Sequence, residues 1–260
     1  MKEKKSIRYH LISCIAIAVV LLVWHLCTVT YEILPSTMFP SPGQVVKSFF
    51  VKLSDTRPDG ATLFQHLAES LKVALSGYFI GIAVGIPLGI CMGWYRKADM
   101  FVRPLFDLVK PVPGIAFIPL VIIFFGIGLL SKAMIIFLGV FIASVVNSYA
   151  GIKQTKAVHL WVGQTFGASN LQLLFKIAIP SALPMILTGM RVALGSAWGA
   201  LVAAEMVASN RGFGYMIQKS RMILRPDLIL VGMISIGVVG AILTSILSFI
   251  EKKIFKGGKW

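Results

Sequence analysis

The 260-residue chain predicts an all-α, polytopic membrane protein: six transmembrane helices in one domain spanning residues 1–260. Three observations predict it. Apolar residues make up 57% of the chain and charged residues 13%, with mean hydropathy +0.85, where a soluble domain carries about a quarter charged residues. Uncharged runs near the ~20 residues that cross a bilayer recur along the chain. Basic residues gather at the ends of those runs, so the net charge of +15 reads as topology and contact with anionic lipid. No basic stripe interleaves with exposed aromatics, which argues against a nucleic-acid partner. Cys14, Cys27 and Cys91 lie in or beside apolar runs without metal-ligand spacing, and read as small buried hydrophobes rather than metal ligands.

The first span is expected over about residues 9–30, after Lys2, Lys4, Lys5 and Arg8, which hold that end in the cytoplasm. No small-x-small site follows it, since Trp24, His25, Leu26 and Cys27 come next, so it reads as uncleaved. Prolines 35, 40 and 42 extend the backbone beyond it. Ser41-Pro42 then starts a short helix over Gly43–Leu53, with Val45, Val46, Phe49 and Phe50 at the spacing of a helix lying on the outer membrane surface.

The second span is expected over Leu63–Trp94, with a polar start at Gln65, His66, Glu69 and Lys72. Gly77, Gly81, Gly85, Gly89 and Gly93 recur every four residues, a stripe that lets a neighbouring backbone approach, and Pro87 is expected to bend the helix. Tyr95, Arg96, Lys97 and Asp99 return the chain to the cytoplasm, and Met100–Lys110 forms a short connecting helix. The third span, Pro111–Gly128, is broken or kinked near its entry by Pro111, Pro113 and Pro119. The fourth, Ala133–Ala150, carries Ser144, Asn147 and Ser148. The fifth, about Ala182–Ala204, holds Arg191, Ser196 and Trp198, with Glu205 at its far end. An outer loop, Ser209–Asp227, contains an amphipathic piece over Gly214–Leu224, and Leu228–Ile250 is the sixth span. Both termini are then cytoplasmic, and the inner segments carry 15 Lys and Arg against 9 outside.

The loop between the fourth and fifth spans, about residues 155–181, is the most informative stretch. Trp161–Phe166 reads as helical and stops at Gly167. Ser169 and Gln172 fit a capping box. Leu171, Leu174, Phe175 and Ala178 fall on one face of the next short helix, which Pro180 and Pro184 end. From the residues alone, this apolar-faced helix pair either docks a partner or packs on its own bundle.

Gly167, nine residues, then Ile177-Ala-Ile179-Pro180 resembles the second half of the EAA motif, the cytoplasmic coupling loop of ABC-type importer permeases. The Glu-Ala-Ala half is replaced by Trp161-Val162-Gly163, so the usual acidic residue is missing. Phe39-Pro-Ser-Pro42, His66-Leu-Ala-Glu-Ser70, Phe125-Gly-Ile-Gly128, Pro180-Ser-Ala-Leu-Pro184, Ala197-Trp198 and Ala204-Glu205-Met206, in this order, are similar to the nitrate/sulfonate/taurine branch of those permeases. The resemblance implies a type I ABC importer permease fold in the bacterial inner membrane. It implies a homodimer that works by alternating access with two cytoplasmic ATPase subunits and an extracytoplasmic solute-binding protein. The solute would be a small anion such as a sulfonate, taurine or nitrate. ATPase coupling would fall to Trp161, Phe166, Gly167, Ala168, Ser169, Leu171, Ile177 and Pro180. The chain carries no G-x-x-x-x-G-K-[ST] loop, so it is expected not to be an enzyme and to hold no cofactor, with ATP bound by the partner subunits.

Ser144, Asn147, Arg191, Ser196, Trp198 and Glu205 are the candidates for the translocation path or a gate. Arg191 either attracts an anion, pairs across the dimer, or snorkels to the membrane edge. Glu205 either gates or meets the basic outer loops, and Ser and Asn also serve as interhelical glue. An ion-coupled secondary carrier is the alternative, but it calls for an inverted repeat and a mid-membrane carboxylate, and neither is legible. The scattered His10, His25, His66 and His159 pair with no nucleophile, which argues against an intramembrane enzyme.

Overall fold

The computed structural model describes residues 2–31, 33, 35 and 38–256, with side chains at 12, 13, 15–31, 33, 35 and 38–253. Cys14, the basic side chains at 2, 4, 5, 8 and 256, and the Gly257-Gly258-Lys259 tail lie outside these. Among the described residues every regular element is helical. The chain divides into two compact units, Met1–His66 with Met216–Ser235, and Leu67–Tyr215 with Ile236–Trp260.

In the first unit, α1 (Lys2–His25) runs on as a π turn over Leu26–Thr30, so the helix starts before the expected residue 9. Its apolar described stretch is Ile15–Thr30. The Trp24 indole donates to the Pro40 carbonyl at 3.0 Å and meets the Phe39 ring edge-on, tying the helix to the proline-rich segment. Helix α2 (Pro42–Lys52) begins as expected, with Pro42 in its first turn and a reciprocal capping box between Ser41 and Gln44. Its last residue, Lys52, is fully buried. A buried ammonium needs a charged partner, and Lys52 Nζ donates to Asp59 Oδ1 at 2.5 Å and to the Arg57 carbonyl at 3.0 Å. His66 Nε2 lies 3.2 Å from the same carboxylate oxygen. Burial works to raise the pKa of Asp59, but hydrogen bonds from His66 and Lys52 and their charges outweigh it and hold the carboxyl below its ordinary value. Across the unit, Ser48 donates to Asp227 at 2.6 Å, and Arg225 grips the same carboxylate in a two-pronged pair.

The second unit is built on α3 (Leu63–Trp94, from Leu67 onward), α6 (Leu129–Lys153) and α9 (Ile179–Ala208). The glycine stripe does what its spacing predicts. A Cβ on Gly81 would stand 2.6 Å from Val140 Cβ, and on Gly89 2.6 Å from the Val145 carbonyl oxygen. Only glycine lets α3 lie this close to α6. Pro87 sits inside α3 without ending it. On the other side of α6, Gly189 of α9 accepts Asn147, and Gly151 of α6 meets Ala182 and Met185. The resulting core includes Val73, Ile135, Ile136, Val140, Ala193, Ala197 and Leu201.

Among the described residues, four helices are long and apolar enough to span a bilayer: Leu63–Trp94, Leu129–Lys153, Asn170–Ala208 and Pro226–Lys253. The expected third span, Pro111–Gly128, differs. Its helical part is a 3-10 turn, Gly114–Phe117, and α5 (Ile118–Phe125). At ~2.0 Å and ~1.5 Å per residue these reach about 20 Å, short of the ~30 Å hydrocarbon core. The preceding helix α4 (Arg96–Val109) bends away from this piece by 79°. Pro111, Pro113 and Pro119 supply no N–H, so no continuous helix can run through the entry.

The ends of this unit differ in character. At one, Lys132 bridges Glu69 at 3.3 Å and Ser209 at 3.1 Å. At the other, Ile152, Leu174, Ala178, Ala182 and Ile186 cluster with Trp94 packed against them. Helices α3 and α6 therefore run parallel to each other from the first end to the second, and α9 runs back antiparallel to both.

Candidate functional site

The stretch flagged in the sequence folds as an elbow at the Trp94 end of the second unit. Helix α7 (Ala157–Thr165) is closed by Gly167 at φ +76°, the left-handed conformation glycine favours. The Gly167 N–H donates to Gln164 O at 2.9 Å and the Ala168 N–H to Gly163 O at 3.0 Å, a Schellman pair. Ser169 then caps α8 (Asn170–Leu173). Its hydroxyl accepts from the Gln172 N–H at 3.3 Å, and the Gln172 side chain accepts from the Ser169 N–H at 2.9 Å. A helix stop at Gly167 and Ala168 and a helix start at Ser169 thus sit back to back, which fixes the elbow without burying it.

The prolines act differently from expectation. Pro180 and Pro184 do not end the second arm. Residues Asn170–Ala208 form one continuous helix, with a π turn over Leu174–Ala178 just before Pro180. The Ile179 N–H reaches back to Leu174 O. This wider turn accommodates a proline ring that would otherwise crowd the carbonyl four residues back. The arm therefore extends without a break into a membrane-spanning helix.

The π turn also divides the expected apolar face. Leu173, Leu174 and Ala178 are buried, whereas Leu171 and Phe175 are exposed. With Val158, Trp161, Val162 and Phe166 they leave a run of uncovered apolar side chains around the bend, Phe166 at 86% exposure. Gly163 holds the two arms together, since a Cβ there would stand 2.6 Å from Leu173 Cδ2 and 2.7 Å from Ile177 Cδ1. Its place as the last residue of the Trp161-Val162-Gly163 triplet gave no hint of this packing role. Ala168, Ser169 and Ile177 lie at the bend or just beyond it, and Pro180 opens α9.

The six path candidates are not brought together. Ser144 is buried under Gly85 of α3. Asn147 donates to the Ala143 carbonyl at 2.8 Å and packs on Gly189. Trp198 donates to the Ile236 carbonyl at 2.9 Å, with Gly240 beneath its ring. Ser196 is exposed, its hydroxyl turned back to the Val192 carbonyl at 3.2 Å. Arg191 forms an ion pair with Glu251 of α11 (Pro226–Lys256).

Glu205 is 1% exposed and accepts from the Ser70 hydroxyl at 2.8 and 3.0 Å and from the Gly214 N–H at 2.9 Å. The Phe213 N–H in turn donates to Ser70 Oγ at 2.9 Å. This carboxylate thus takes the Gly214 N–H of the first turn of α10 (Phe213–Met222) directly and the Phe213 N–H through the Ser70 hydroxyl, a favourable place for a negative group. Glycine at 214 is required, because a Cβ there would stand 2.5 Å from the Val202 carbonyl.

A hydroxyl face on α11 went unnoticed in the sequence. Thr244, Ser245, Ser248 and Lys252 border a hollow of about 630 Å³. Their three-to-four-residue spacing marks one helix face, but it was hidden inside the most apolar part of the chain.

Residues 81–256 match the family described as binding-protein-dependent transport system inner membrane component. The taurine transport system permease protein TauC of Escherichia coli (strain K12) is 36% identical over 92% of this chain and 86% of its own length. A permease of Bacillus subtilis (strain 168) named for aliphatic sulfonates transport, SsuC, is 31% identical over 92% of this chain and 84% of its own. The formylaminopyrimidine transport permease protein ThiX of Halalkalibacterium halodurans is 31% identical over 70% of each chain. A chain of the inward-facing MetNI methionine ABC transporter superimposes with a TM-score of 0.61 at 18% identity, covering 75% of this chain and 95% of its own, which establishes the shared fold. With an all-helical architecture, proline-broken third span and helical elbow at one end, the chain belongs to the family of binding-protein-dependent transport system inner membrane components, the permeases of ABC importers.

Proposed function

We propose that two copies of this chain form the membrane channel of an importer for a small sulfonate or a similar anion, driven by two separate cytoplasmic ATPases and supplied by an extracytoplasmic binding protein. The observation that carries the coupling half is the elbow: Trp161, Phe166, Leu171 and Phe175 are uncovered, while the backbone beneath them is fixed by a glycine stop and a capping box. A rigid bend with exposed apolar side chains suits a protein partner. The unbroken helix from Asn170 to Ala208 gives that partner a lever into the membrane. ATP would close the ATPases, the elbow would follow, and the spans would rock between outward and inward states. The coupling set is Trp161, Phe166, Gly167, Ala168, Ser169, Leu171, Ile177 and Pro180. The elbow end is cytoplasmic, as are both termini, in line with the excess of Lys and Arg on the inner segments.

The solute class is supported by the names of the relatives TauC and SsuC. In this reading, exposed Ser196, Arg191 and the hydroxyl face of α11 line the path. Ser144, Asn147, Trp198 and Glu205 hold its walls in register. The test is reconstitution of the chain with its ATPases in proteoliposomes. Replacing Phe166 and Leu171 together by Ser is expected to leave the chain inserted but to abolish its co-purification with the ATPases. Retained co-purification and uptake would refute the elbow as the contact. Uptake driven by an ion gradient without ATP would favour a secondary carrier.

A further inference from the structure

The connecting helix α4 has an arrangement the importer reading does not use. It follows α3 after a single residue, Tyr95, and precedes the broken third span, so the chain places it at a membrane face. Its 79° bend from the Gly114–Phe125 piece lays it across that piece instead of along it. At 100° per residue, Phe101, Leu105 and Leu108 share one side with Val109 at its edge, and all four are exposed. The opposite side carries Arg96, Asp99, Arg103, Asp107 and Lys110.

A third edge faces the protein. Phe106 packs edge-on against Phe141 of α6, and the Arg103–Asp99 pair reaches the Tyr149 hydroxyl. The Arg103 guanidinium also sits 4.9 Å over the Tyr149 ring. The helix is therefore fixed at one rotation, with its apolar side turned away from the bundle. Arg96, Lys97 and Lys110 are exposed at its two ends, against one exposed acid, Asp107. None of these three has an ion pair among the described residues.

We propose that α4 is an interfacial helix that lies in the headgroup layer of the inner leaflet, sinks Phe101, Leu105 and Leu108 among acyl chains, and gathers anionic phospholipid through Arg96, Lys97 and Lys110. Its occupant is the lipid surface. An anionic leaflet supplies phosphates along the whole helix to basic residues that outnumber its one exposed acid.

The test uses the full-length chain with Cys14, Cys27 and Cys91 replaced by Ser, reconstituted in lipid nanodiscs. Single cysteines from F101C, L108C and D107C carry an NBD fluorophore. With acyl-brominated phosphatidylglycerol as the minor lipid in phosphatidylcholine, labels at 101 and 108 are expected to be blue-shifted and quenched, and the label at 107 to stay in water. Quenching by brominated phosphatidylglycerol should exceed that by equally dilute brominated phosphatidylcholine by about fivefold or more, the enrichment that ~1 kcal/mol of basic-residue attraction gives. Arg96→Gln, Lys97→Gln and Lys110→Gln together should bring the two to parity while leaving the quenching by brominated phosphatidylcholine unchanged. Unquenched labels at 101 and 108, or disulfide pairing of F101C between two copies, would overturn the proposal. Equal quenching of the parent chain by the two lipids would overturn its selectivity for anionic lipid.

Discussion

Gly167 offers a way to disturb the elbow without touching the membrane-spanning core. Its φ of +76° is the left-handed conformation, and a Cβ there would meet nothing within 4 Å. A substitution therefore adds backbone strain but no clash. The strain is about 1–2 kcal/mol for an ordinary L-residue, less for Asn, and more for a β-branched side chain. The two bonds that close α7, Gly167 N–H to Gln164 O and Ala168 N–H to Gly163 O, depend on that conformation. Net hydrogen bonds of this kind contribute about 1 kcal/mol each, so a valine can relax only by giving up the bend. The expected order of coupled transport is Gly, then Asn, then Ala, then Val at position 167. Membrane insertion and thermal stability of the purified chain should vary little across the series. The assay is the ratio of solute taken up to ATP hydrolysed in proteoliposomes containing the assembled importer. A valine variant with the parental ratio would refute the argument that this bend transmits the ATPase movement. A valine variant absent from the membrane would refute the argument that the strain is local.

Three further outcomes follow from the geometry. Gly89→Ala would push a methyl to 2.6 Å from the Val145 carbonyl; overpacking costs about 1–3 kcal/mol against a helix-propensity gain of about 1, so thermal unfolding in detergent should show a net loss, while Gly195→Ala, with open space around it, should show none. Glu205→Ala leaves the Gly214 N–H and the Ser70 hydroxyl buried and without their acceptor, at about 1–3 kcal/mol each, whereas Glu205→Gln keeps an acceptor; the alanine variant should be the less stable by at least about 1 kcal/mol in the same assay. The depressed pKa of Asp59 means that its ionised form stabilises the fold; this contribution is fully present above the ordinary value of 3.8 and is lost as pH falls through the lowered one. Stability measured from pH 6 downward should therefore fall below about pH 4, and Asp59→Asn should be less stable at pH 6 with a flatter acid limb.

The helical class, the four long spans and the glycine stripe were legible because each rests on a local rule: apolar run length, or a four-residue period. The Ser41 and Ser169 caps and the Gly167 stop were legible for the same reason, since a cap is decided within four residues. Pro180 and Pro184 misled because a proline's effect depends on the turn before it, and nothing in Leu174–Ala178 marks a π turn. In the sequence Lys52 was only one of the nine basic residues of the outer segments. Its burial depends on Asp59 and His66, seven and fourteen residues away, folding over it. Glu205 was placed near a gate for want of any way to see that Ser70 lies 135 positions distant but within 2.8 Å. The hydroxyl face of α11 was hidden by the hydropathy that identified the helix. Local chemistry was readable, and pairings between distant helices were not.

Solute uptake into proteoliposomes tests the central claim most directly. The full chain would be reconstituted with its ATPases and loaded inside with ATP, and radiolabelled taurine would be presented with the binding protein. The account predicts uptake that requires both ATP and the binding protein, persists when ion gradients are collapsed, and is lost together with ATPase co-purification when Phe166 and Leu171 are replaced. Uptake that continues without ATP and follows an ion gradient would contradict it.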